Sequence, residues 1–317
     1  MLDVQGLQTI YLAGGRDPIP AVRGIDLHIK SGSATALVGE SGCGKSTAAL
    51  SIMRLIRRPL GDIVGGSIRL DDTELLSLSQ SAMRNVLLNE IGYVPQDPTV
   101  ALDPLYTVRS QIADVCPPAS KLERDERMVA LLERLGVIDA RKRLKSYPHE
   151  FSGGMRQRVA IAIALAKDPA LLIADEPTTA LDVTTQLGIL RLLDEMRRER
   201  DLTMLFVTHD LAVARLVCQE VAVMYGGIVV ETGPIGTIMD RPLHPYSRAL
   251  LDADSGNAEP QSRLRAIPGQ PPSLTAMPAG CPFAPRCPLA EPACSDAVPA
   301  VEVHGAVKVR CIKAGQS

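Results

Sequence analysis

The sequence predicts an α/β fold: a parallel-sheet core, an antiparallel β subdomain and an α-helical subdomain, followed by a Cys-rich C-terminal extension. Three observations carry that prediction. Gly39-Glu-Ser-Gly-Cys-Gly-Lys-Ser-Thr47 matches the phosphate-binding loop pattern G-x-x-x-x-G-K-[ST] in full, between a strand-like run at residues 33–38 and a helix-like run at 48–56. Two more apolar runs, 170–174 and 203–207, end in polar residues, where strands of an open parallel sheet face their ligand crevice. Ten of the 24 prolines fall after residue 259, and Cys281, Cys287, Cys294 and Cys311 lie together there.

The length of 317 residues suits two domains. The expected division is 1–255 for the nucleotide domain, with its helical part at about 97–165, and 256–317 for the extension. A net charge of −2 gives no global basic footprint, so no nucleic-acid partner is expected. The start, Met1-Leu-Asp-Val-Gln, lacks the basic-then-apolar order of a signal peptide. No apolar stretch approaches the ~20 residues of a membrane span; the longest, 159–166, is closed by Arg158 and Lys167. The expectation is a soluble chain, or one that meets a membrane only through partners. With no export signal, the cysteine group points to a metal or cluster site rather than disulfides.

Residues 1 to about 35 alternate short apolar runs with turn signals, among them Gly14-Gly15 and Ser31-Gly32, as antiparallel strands do. Tyr11 there is either ordinary strand packing or a platform for an adenine ring. In the phosphate loop, Gly39, Gly42 and Gly44 permit the tight turn. Glu40, Ser41 and Cys43 fill its other positions. The loop's N–H groups and the following helix start favour an anion. Lys45 can reach β and γ phosphates, and Ser46, followed by Thr47, can ligate Mg²⁺. Residues 67–70 and 91–94 read as strands. The latter runs into Pro95-Gln96-Asp97-Pro98, a stiff loop in which Gln96 is either a plain loop residue or an amide placed near a metal or water.

Residues 105–145 read as helical, with Met128, Leu131, Leu132 and Leu135 on one face and Gly136 as a stop. Ser152 is a good N-cap, and Gly153 and Gly154 leave the first N–H groups of its helix uncovered, a second place for an anion. The run 170–174 delivers Asp175 and Glu176. Alternation along a strand would send them to opposite sides, so that Asp175 holds the Mg²⁺ shell and Glu176 orients or deprotonates water. A helix is expected over about 183–200, then a strand ending at Thr208-His209-Asp210, which places His209 as a γ-phosphate contact. Residues 221–224 and 228–230 flank Gly226-Gly227, a hairpin signal, and 243–251 read as a helix.

These motifs, in this order, resemble the nucleotide-binding subunit of an ABC transporter over about residues 3–312. By that resemblance Tyr11 is the A-loop aromatic and Gln96 the Q-loop. Phe151-Ser-Gly-Gly-Met-Arg-Gln157 is the signature motif and 171–175 the Walker B strand, with Glu176 as base. Ala180-Leu-Asp182 is the D-loop and His209 the H-loop. The resemblance implies two ATPase domains closing head to tail over two ATP molecules, with Ser152, Gly153 and Gly154 serving the partner's ATP. Mg²⁺ is then held by Ser46, Gln96 and Asp175, and Glu176, His209, Gln96 and Lys45 carry the hydrolysis.

The Ser-Gly-Gly-Met-Arg-Gln-Arg run, Ile267-Pro-Gly-Gln-Pro-Pro272 and the C-x₅-C-x₆-C-x₁₆-C tail narrow the resemblance to importers of the oligopeptide, dipeptide and nickel class. It implies a related ATPase chain as partner, two membrane permease subunits and an extracytoplasmic solute-binding protein, at the cytoplasmic face of a bacterial inner membrane. It also implies that Cys281, Cys287, Cys294 and Cys311 hold a [4Fe-4S] cluster, with zinc as the alternative. Cys43, where many relatives carry Ser, suggests sensitivity to thiol reagents. Nickel chelates or glycosides as cargo, and a soluble ABC ATPase of DNA repair or translation, are the competing readings.

Overall fold

A computed structural model describes residues 1–12, 17–178, 181–253 and 267–316. The expected turn at Gly14-Gly15, Ala180 of the D-loop and the expected boundary at 255/256 lie outside the described residues. The chain forms two compact units, one of Met1–Lys30, Ala34–Ser77 and Val207–Ser317, the other of Ser31–Ser33 and Leu78–Phe206.

The first unit contains an antiparallel sheet in the order Ile19–Ile29, Leu2–Tyr11, Gly61–Leu70, Thr73–Glu74. The alternation in residues 1–35 thus makes strands as expected, and Leu2, Leu7, Ile25, Ile29 and Ile68 turn one face inward, all fully buried. Its second sheet runs Glu302–His304, Val307–Val309, Ile228–Pro234, Glu220–Tyr225, Ala34–Val38. Ala34–Val38 is buried at every residue and pairs parallel to Glu220–Tyr225, which suits its continuous apolar sequence. Gly226 and Gly227, at φ of 53° and 83°, close the hairpin to Ile228–Pro234 as a two-residue turn that needs positive φ at both positions.

The C-terminal strand pair extends this sheet through Glu231 opposite Val309 and Thr232 opposite Lys308. A core of aromatic rings ties the extension in further. Phe283 is buried against Tyr225 and Tyr246, with ring centroids 5.3 Å from each, and those two tyrosines stand 4.4 Å apart. In a Pro-rich segment that cannot build a core of its own, Phe283 supplies the apolar anchor.

In the second unit the parallel strands stand in the order Thr203–Thr208, Leu171–Asp175, Ile91–Val94, with the first four residues of Thr203–Thr208 belonging to it. The stretch expected as helical over 105–145 is three pieces, Val108–Ala113, Lys121–Arg134 and Ala140–Arg143. Pro117-Pro118 cannot continue the first. Ser120 and Glu123 form a reciprocal capping box on the second. Gly136, at φ 72°, follows its end. The helix Val183–Arg200 spans the residues the sequence predicts, capped by Asp182. Among the described residues, no helix is long and apolar enough to cross a membrane.

Candidate nucleotide site

The phosphate loop leaves the buried strand Ala34–Val38 and enters the helix Lys45–Ile52, which begins three residues earlier and ends earlier than its sequence suggests. Gly42 at φ 80° and Gly44 at φ 107° supply conformations that a side chain rarely adopts. A Cβ on Gly44 would also run into the Ala21 carbonyl oxygen and the Met224 side chain. Gly44→Ala is therefore expected to destabilise the protein by roughly 1–3 kcal/mol, read as a lower melting temperature, while Gly42→Ala, whose Cβ meets nothing, costs less.

Lys45 is buried, and its Nζ donates to the Gly39 carbonyl at 2.7 Å and the Glu40 carbonyl at 3.1 Å. An ammonium has three donors, so one remains to face a phosphate. Ser41 and Gly42 are exposed at the loop tip, Ser46 is half-buried, and Thr47 is buried with its Oγ1 3.3 Å from the Tyr11 hydroxyl. That contact ties the Tyr11 hydroxyl to the first turn of the loop's helix. Cys43 is buried, and burial pushes its thiol pKa up although Lys45 pulls it down. Both burial and the raised pKa argue against a reactive thiolate at Cys43.

Glu40, unremarked as anything but a loop position in the sequence, is the most heavily tied residue of the loop. Its N–H donates to the Tyr246 hydroxyl at 2.8 Å, and its carboxylate takes both arms of Arg286 at 2.7 and 3.1 Å. Burial alone would lower the Arg286 pKa, but the bonds to Glu40 and Tyr225 more than offset it and raise it. In the same unit, exposed His209 follows the strand Thr203–Thr208, and Asp210 caps the next helix by accepting from Val213 N–H at 2.8 Å.

The second unit brings Gln96 and Glu176 together: the Gln96 amide donates to Glu176 Oε2 at 3.1 Å. Asp175 is buried at the end of Leu171–Asp175. Burial, and after it the charge of Asp175, pushes the Tyr93 phenol up to about 12. Glu176 lies beyond the strand in the left-handed region at φ 46°, so the strand alternation expected to separate the two carboxylates stops at Asp175. Ser152 caps Gly153–Leu165 by accepting from Met155 N–H at 3.4 Å; it and Gly153 are exposed, and a Cβ on Gly153 would meet open space. Exposed Asp182 accepts from Thr185 N–H at 3.0 Å, and that bond holds its carboxyl below its ordinary pKa.

Cys281, Cys287, Cys294 and Cys311 line one cavity together with His244 and Phe283. Burial raises the thiol pKa of Cys281, Cys287 and Cys311, the last to about 11. Among the described residues no three His, Cys, Asp or Glu side chains converge closely enough to hold a metal ion. A single zinc would draw four sulfurs to ~2.3 Å from one point, and the thiols are not so gathered. His244 is buried, its pKa driven down to about 3, so the ring is neutral. Its Nδ1 accepts from Tyr246 N–H at 3.0 Å, which leaves the proton on Nε2, and that atom has no hydrogen-bond partner among the described residues.

A phosphate loop at a parallel strand's end, a paired glutamate and glutamine and a glycine-lined helix start are the features of a nucleoside-triphosphatase of the ATP-binding-cassette type. The ABC transporter family matches residues 22–179, and the oligopeptide/dipeptide transporter C-terminal region matches residues 230–294. The oligopeptide transport ATP-binding protein AppD of Bacillus subtilis is 42% identical, covering 98% of this chain and 96% of its own. OppD of Salmonella typhimurium, also an oligopeptide transport ATP-binding protein, is 42% identical over 94% of this chain and 89% of its own. Among solved structures, a dimeric ATP-binding cassette in a post-hydrolysis state with ADP and Pi superposes with a TM-score of 0.66 at 30% identity, covering 74% of this chain and 99% of that one. The chain belongs to the ABC transporter ATP-binding subunits, in the oligopeptide/dipeptide family.

Proposed function

We propose that this chain hydrolyses ATP to energise the import of di- or oligopeptides through two membrane permease subunits, with a solute-binding protein delivering the cargo. The observation that carries the reading is the intact phosphate loop, with Lys45 buried against its carbonyls, in a chain whose C-terminal region is of the oligopeptide/dipeptide type. Lys45 and the loop N–H groups bind the triphosphate, and Tyr11 stacks on adenine. Glu176, oriented by Gln96, holds the attacking water and accepts its proton, and His209 contacts the γ-phosphate. Ser46, Gln96 and Asp175 offer hydroxyl, amide and carboxylate oxygens, a hard-donor set that suits Mg²⁺. The ion, when bound, offsets charge on the phosphates.

Ser152 and Gly153, exposed at their helix start, and half-buried Gly154 act on the ATP of a second ATPase subunit, a related chain, as does exposed Asp182. The complex sits at the cytoplasmic face of a bacterial inner membrane. Cys281, Cys287, Cys294 and Cys311, which share a cavity without converging on one point, would have to close in to hold a [4Fe-4S] cluster, zinc being the alternative. What supports a shared occupant is that all four cysteines line one cavity. The cluster clamps the extension's fold.

The test is purification of the tagged chain from membranes under anaerobic conditions. Two permease subunits and a second ATPase are expected to accompany it, with iron and sulfide bound. Nucleic acid or ribosomes in their place would overturn the importer reading, and zinc without iron would replace the cluster.

A further inference from the structure

Glu40 places a carboxylate inside a loop whose other groups attract anions. Left alone, it would repel a triphosphate. It is not left alone: Arg286, 246 residues away in the C-terminal extension, meets it with two parallel N–H···O bonds, Nη1 to Oε2 at 2.7 Å and Nη2 to Oε1 at 3.1 Å. The remaining guanidinium donors reach the Pro268 carbonyl at 2.8 Å, the Ile267 carbonyl at 3.1 Å and the Tyr225 hydroxyl at 3.0 Å. All five N–H groups are used, and the Arg286 side chain is 4% exposed against 23% for Glu40. The segment carrying Arg286 is fixed on the same side by Phe283 in the tyrosine pair and by Pro282 against Gly226. A planar fork with every donor satisfied is a site only arginine fills.

We propose that Arg286 is a positioning residue of the nucleotide site: it neutralises Glu40 within the phosphate loop, so that the C-terminal extension sets the affinity for ATP. The inference rests on ATP occupying that loop. It gives the Cys281–Cys287 segment a task beyond carrying thiols, since whatever fixes that segment also fixes Arg286.

The charge argument makes opposite predictions for the two partners. With full-length protein titrated with ATP, Arg286→Gln is expected to weaken binding about tenfold, because a bare carboxylate then faces the phosphates. Glu40→Gln leaves the arginine's charge uncompensated and is expected to tighten binding by about threefold, with the double variant between the two. Both shifts shrink as salt rises from about 0.05 M to about 0.5 M. If Arg286 were only a bracket holding the extension in place, both single variants would weaken binding alike and salt would not matter; that result, or an Arg286→Gln protein that binds like wild type, overturns the inference. Should Arg286→Gln melt too low to titrate, Glu40→Gln decides: tighter, salt-sensitive binding supports the proposal, and weaker binding overturns it. A wild-type chain that binds no ATP would remove the nucleotide reading itself, and this one with it.

Discussion

Glu176→Gln is expected to lower ATP turnover by roughly 10²–10⁴ while ATP still binds. The substitution is nearly isosteric and keeps an oxygen that can accept from Gln96, whose amide now lies 3.1 Å from Glu176 Oε2. What it removes is the carboxylate proposed to take a proton from water. The backbone at φ 46° costs about 1 kcal/mol or more for a side chain other than glycine, and Gln bears that cost equally, so the fold should not respond. Binding measured by titration and turnover measured by phosphate release separate the two steps. Turnover at the wild-type rate would remove Glu176 as the base.

Lys45→Ala is expected to act earlier, on binding. A hydrogen bond to a charged group is worth about 1.5–3 kcal/mol, so losing the lysine's phosphate contact should weaken ATP binding by roughly 10- to 100-fold. The side chain also donates to the Gly39 and Glu40 carbonyls from a buried position, so the variant leaves acceptors unmet and should melt lower as well. The melting shift is to be read without nucleotide. The additional loss of ATP-induced stabilisation then reports the binding defect by mass action. A Lys45→Ala protein that keeps wild-type ATP affinity would mean the loop does not cradle the triphosphate.

Much of the frame was legible because the signals are local. A nine-residue motif marked the phosphate loop, two adjacent glycines the hairpin turn, and the cap Ser152 a helix start that the structure keeps. The helical reading over 105–145 passed over Pro117-Pro118, where the structure separates Val108–Ala113 from Lys121–Arg134. The C-terminal strands Glu302–His304 and Val307–Val309 were missed: each is three residues long, in an extension read for its prolines and cysteines. The Arg286–Glu40 pair and the buried His244 had no local signal. Their partners are brought together by sheet and core packing, and neither side chain's local sequence differs from that of a solvated charge or a surface histidine.

If ATP hydrolysis by this chain drives uptake, its loss must stop transport. The direct measurement is peptide accumulation in vesicles containing the purified complex, with ATP on the side of the ATPase subunits. Uptake should require ATP and should fail with Glu176→Gln or Lys45→Ala in this chain. Accumulation at the wild-type rate in both variants would show that the motor lies elsewhere.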